Sequence, residues 1–99
     1  MALPDSRFHE VLQELAALYE KKVEDYGRGK DVFANVKAAT EFGIPAYKGA
    51  LLRLNDKVHR LKSFCLNGHL ANEGVEDNLL DIGAYAIIGL ILFREEHAT

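Results

Sequence analysis

Asp81-Ile82-Gly83-Ala84-Tyr85-Ala86-Ile87-Ile88-Gly89-Leu90-Ile91-Leu92-Phe93 carries a charge at its first residue and none after it. The uncharged run, Ile82 to Phe93, is too short to cross a bilayer and is interrupted by Gly83 and Gly89. Upstream, Asn72 suits an N-cap and Glu73 suits a first turn. The pattern predicts a helix from near Asn72 to about Glu96. A helix that is apolar on every side is enclosed by neighbours. In a chain of 99 residues those neighbours are expected to include another subunit.

Three further helical segments precede it, and no stretch reads as a convincing strand. The third helix is expected from about Ala46 to Leu66, ended by Asn67 and Gly68. Tyr47, Leu51, Leu54, Val58, Leu61 and Cys65 form its apolar stripe. Arg53, Asp56, Lys57 and Arg60 fall on another face, within about a third of a turn. A shorter helix spans roughly Asn35 to Phe42 and is closed by Gly43 and Pro45. The first runs from Asp5 or Ser6 to Tyr26, with Phe8, Val11, Leu12, Leu15, Leu18, Tyr19, Val23 and Tyr26 along one face. The expected fold is all-α: a four-helix antiparallel bundle-like single domain over residues 1–99, completed by oligomerisation.

The net charge of -3 gives no electrostatic reason to expect a nucleic acid polymer. The N-terminus shows no basic and apolar export segment, and no stretch reads as a membrane span. A reducing, cytoplasmic setting is the default. Cys65 has no partner for a disulfide and reads as core.

The chemistry concentrates around the apolar run. Glu73, Asp77 and Asp81 are spaced four apart, so on a helix they stack within about 80° of one another. Like charges at this spacing repel. No Lys or Arg lies between Leu70 and Phe93 to compensate. Leaving Asp81 buried and unpaired would cost several kcal/mol. Three partners satisfy it: the Arg53, Lys57 and Arg60 face, a divalent metal, or a proton. Pattern alone favours the salt bridge. The metal reading draws on Asp56 as well, because hard divalent ions take several oxygens and Mg²⁺ also takes substrate phosphates.

Other candidates carry less. Gly27-Arg28-Gly29-Lys30 lacks the spacing of a P-loop; it reads as a solvated turn or as a loop closing over phosphates. His9, His59, His69 and His97 show no ligand spacing. Tyr26, Phe33 and Tyr47 are candidates for stacking a planar ligand, with no aromatic cluster to single them out.

Two stretches, Arg53-Leu-Asn-Asp56-Lys57-Val-His-Arg60-Leu61 and Glu73-Gly-Val-Glu-Asp77-Asn78-Leu-Leu-Asp81-Ile-Gly-Ala-Tyr85-Ala86, resemble the nucleotide modification associated domain 1 family. Asp25-Tyr26-Gly27 resembles that family's Asp-Tyr-Gly/Ser step. The resemblance covers roughly Leu15 to Phe93. The family is common in phages and is similar to the MazG-like all-alpha nucleoside triphosphate pyrophosphohydrolases. It implies a hydrolase that uses Mg²⁺, or Mn²⁺, on a nucleotide in the cytoplasm, the host's if the source is a phage. Asp56, Asp77 and Asp81 would then hold the metal. Glu73 would be a further ligand or the base for a water. Lys57 and Arg60, with Arg53 and Lys30, would hold the phosphates. The wider pattern has two acidic pairs, and here Arg53 and Asn78 stand at two of the acidic positions. The alternative is a non-catalytic nucleotide-binding protein, or an oligomeric structural or regulatory helical protein.

Overall fold

The computed structural model describes residues 4–26, 33–69 and 74–98. They form four α-helices: α1 (Ser6–Tyr26), α2 (Ala34–Lys37), α3 (Ala46–Asn67) and α4 (Val75–Glu96). A 3-10 helix, Ala38–Phe42, follows α2. The protein is all-α, with no strand among the described residues. No helix among them is long and apolar enough to cross a membrane. The chain divides into two compact units, Met1–Val32 and Phe33–Thr99.

In the first unit, Asp5 caps α1. The Arg7 backbone N–H donates to Asp5 Oδ1 at 2.9 Å, and Arg7 Nε donates to the same carboxylate at 3.0 and 3.1 Å. The side-chain hydrogen bond from Arg7, then its backbone hydrogen bond, holds the Asp5 carboxyl below the ordinary carboxylate range. A carboxyl with a depressed folded pKa contributes stability above its unfolded pKa and loses it as pH falls through the folded value. The first turn of α1 is therefore expected to fray as pH falls below about 4 and Asp5 takes up its proton. NMR tests this directly. First-turn helical shifts that stay flat while Asp5 titrates would refute the cap.

The second unit is built on Val36, Ala50 and Leu92, with Phe33, Ala46, Tyr47, Tyr85 and Ile88 packed around them. The helices α3 and α4 run antiparallel. Tyr47 meets Phe93 edge-on at 5.2 Å between ring centroids. Ala50 faces Gly89, and Lys57 faces Asp81. Residue numbers rise on one helix as they fall on the other. At one end α3 is closed by Gly68, in the left-handed region at φ 81°, whose N–H donates to Phe64 O at 2.7 Å. At the C-terminal end of α4, the His97 ring stacks on Phe93 with centroids 4.1 Å apart.

Two expectations are corrected. The segment Asn35 to Phe42 is not one α-helix: it tightens to 3-10 after Lys37. Thr40 Oγ1 donates to Lys37 O at 2.8 Å, a side-chain bond that competes with the helical ladder. Leu51 and Cys65 of the expected α3 stripe are exposed, and the buried positions are Gly49 and Ala50. Small residues bury because α2 and α4 can approach closely there. In the uncharged part of α4, Ile87, Leu90 and Ile91 are exposed in the single chain.

Candidate functional site

On α4, Asn78, Asp81, Ile82, Tyr85, Gly89 and Leu92 recur at spacings of three and four, and all are buried or half-buried. Most of this stripe is apolar, and the contacts of its later residues lie against α3. Its first turns are polar. That change of character marks the site.

Asp81 meets Lys57 of α3: Nζ lies 3.0 Å from Oδ2, with the side chains 14% and 28% exposed for Lys57 and Asp81 respectively. Of the three partners open to Asp81, this chain supplies the base. An ammonium has three N–H donors and can serve more than one acceptor at once.

One turn earlier, Asn78 is fully buried. Its Nδ2 donates to Gly74 O at 2.9 Å, and its backbone N–H donates to the same carbonyl at 3.2 Å. Its Oδ1 is buried with no hydrogen-bond partner among the described residues. An acceptor left in that state costs about 1–3 kcal/mol. Buried unsatisfied groups are few in native proteins.

Arg53 and Arg60 lie on α3 one turn to either side of Lys57, and both are exposed. Asp56 and Asp77 are exposed and form no ion pair among the described residues. Asp56 directly precedes Lys57, so it is turned by about 100° from the residue that meets Asp81. Among the described residues no three His, Cys, Asp or Glu side chains are grouped closely enough to hold a metal ion. The fold thus brings Lys57 and Asp81 together without drawing Asp56 and Asp77 into one cluster with Asp81. Glu73 and Lys30, and with them Asn72 and the Gly27-to-Asp31 loop, lie outside the described residues.

No family model, curated protein or solved structure matches the chain. The site therefore has to be read from its own residues.

Asn78 is the residue that pattern reading passed over as a site. The signal was present, since Asn78 stands four before Ile82 and seven before Tyr85 on one face. An amide on that stripe is either paired or exceptional. An open hollow of about 400 Å³ along Val58, Leu61, Lys62, Cys65 and Leu66 is a separate feature of α3. Its lining is apolar apart from Lys62, which makes it a poor phosphate cradle.

Proposed function

We propose that this chain is a small helical nucleotide-handling protein of the MazG-like pyrophosphohydrolase kind, with its phosphate site on the α3–α4 seam. The observation that carries the reading is the half-buried Lys57–Asp81 pair one turn from the orphan Asn78 oxygen. A purely structural helix pair gains little from such a cluster, because well-packed apolar residues there are commonly as stable or more so. A buried polar group left unsatisfied in a native protein calls for an explanation, and a functional role is one.

In this reading Lys57, Arg53 and Arg60 bind the phosphates; the resemblance also implies Lys30 in that role. A polyanion needs several donors, and α3 places three cations along one face. Asp81 holds Lys57 in place for that task. Glu73 is the base that takes the proton of an attacking water. Among the described residues Asn78 Oδ1 has no donor, and the Asp81 carboxylate lies one turn further along α4. Mg²⁺ usually takes one or two carboxylates, with waters and substrate phosphates completing its shell. The resemblance also implies Asp56 and Asp77 as ligands, although the fold does not cluster them with Asp81. Mg²⁺ or Mn²⁺ bound with the nucleotide would offset charge at the bond between the α and β phosphates. Such a role belongs in the cytoplasm, where nucleotides are made and used.

The test is an assay of purified protein with Mg²⁺ and a panel of deoxy- and ribonucleoside triphosphates, read as pyrophosphate released. Release is expected, and Asp81→Asn is expected to reduce it at least about 100-fold. Absence of release across the panel sinks the enzyme. A nucleotide-dependent rise in melting temperature without release leaves a binding protein of the same site. Neither response leaves a second reading, a structural or regulatory helical protein. The exposed apolar side of α4 favours that one.

A further inference from the structure

A second stripe runs along α4, away from α3. At about 100° per residue, Glu76, Leu80, Gly83, Ile87, Leu90 and Arg94 share it. They alternate spacings of four and three, the rhythm of a helix–helix seam. Ile87 and Leu90 are 46% and 47% exposed, flanked by Leu79 at 54% and Ile91 at 44%. The stripe has an acid at its N-terminal end and a base at its C-terminal end, with nothing charged between. Glu76 and Arg94 are exposed, and neither forms an ion pair among the described residues.

This order of residues is its own complement when reversed. With a second α4 laid antiparallel, Glu76 comes opposite Arg94 of the second copy, and Arg94 opposite its Glu76. Leu80 comes opposite Leu90, and Gly83 opposite Ile87. Each bulky side chain then faces a notch or another apolar residue, and each terminal charge faces its opposite. A two-fold axis repeats every contact twice, as an isologous interface requires. Antiparallel helices also set opposite dipole ends side by side.

We propose that two copies of this chain pair through this stripe, α4 against α4, antiparallel about a two-fold axis. A second copy is the fitting occupant because no outside partner is needed to supply the charge pattern. The pairing does not depend on the nucleotide reading, since its residues lie on the opposite side of α4 from Asn78 and Asp81.

Sedimentation velocity with charge-reversed chains tests the proposal. The wild-type chain is expected to be a dimer at about 10 micromolar. Glu76→Arg alone sets two like-charged pairs in the homodimer, and so does Arg94→Glu alone. Each is expected to weaken self-association about tenfold. An equimolar mixture of the two variants restores opposite charges at both ends and is expected to dimerise as the wild type does. Both sites are exposed, so both variants keep their helical circular dichroism. Ile87→Asp is expected to yield a monomer. A wild-type monomer overturns the proposal, and so does a dimer whose strength is the same in both single variants and their mixture.

Discussion

Gly49→Ala is expected to lower the melting temperature of the Phe33–Thr99 unit by roughly 10–20 °C. A Cβ at position 49 would collide with the Val36 carbonyl oxygen and crowd the Ala39 side chain. The oxygen belongs to the backbone of α2, so no rotamer change relieves the overlap. Either α2 moves off α3, exposing Val36 from the core, or α3 bends. Overpacking of this kind costs about 1–3 kcal/mol, and more when backbone must shift. Gly89→Ala is the matched control. Its Cβ would lie 3.6 Å from Ala50 Cβ, an ordinary contact. Alanine also favours a helix interior over glycine by about 1 kcal/mol. Its melting temperature should equal or exceed that of the wild type. Calorimetry of the two variants decides the matter, and a Gly49→Ala protein as stable as wild type would mean that α2 does not lie against α3 as described.

The second large effect concerns Lys57. Lys57→Met leaves the Asp81 carboxylate half-buried and without its base. Removing one partner of a buried pair costs about 3–5 kcal/mol. Asp81 retains some contact with water, so about 2–3 kcal/mol is expected here. Lys57→Met combined with Asp81→Leu removes both charges and should return most of the lost stability. Urea unfolding of the two singles and the double closes the cycle. If the single losses simply add, the pair is not coupled, and Asp81 has some other partner. The same variants bear on function: the apolar double should fold, yet show no thermal response to nucleoside triphosphates.

The fold class was legible because glycine, proline and a 3.6-residue apolar rhythm mark helices locally. The first and third helices were readable almost to their ends, as Asp5 and Gly68 show. What could not be read was which face of each helix is used. On α3, size and hydrophobicity pointed to Leu51 and Cys65. Burial went instead to Gly49 and Ala50, which have little side chain and little pattern signal. Close approach rewards a missing side chain, and periodicity counts only those present. Lys57 illustrates the same limit from the polar side. It was assigned to a charged face with Arg53, Asp56 and Arg60, but only Lys57 turns far enough toward α4 to be largely buried. Asp81 was marked correctly as a charge needing an answer, because an acid leading an apolar run is anomalous in any fold. The identity of its partner depended on the antiparallel pairing of α3 with α4, which the sequence order permits without specifying.

The first turn of α4 has no side-chain cap at Gly74. The Gly74 carbonyl takes two hydrogen bonds from Asn78, while Asn78 Oδ1 takes none from the described residues. Stability is therefore unevenly spread along this helix. When that turn opens, water reaches Asn78 Oδ1 and supplies the donor the folded state withholds, which returns part of the free energy that opening costs. The other end is clamped by Tyr47, Phe93 and His97 and gains nothing of the kind by opening. Local unfolding of the helix thus starts at Gly74 and runs toward Asp81. It exposes the polar end of the seam to solvent while the core around Leu92 stays closed.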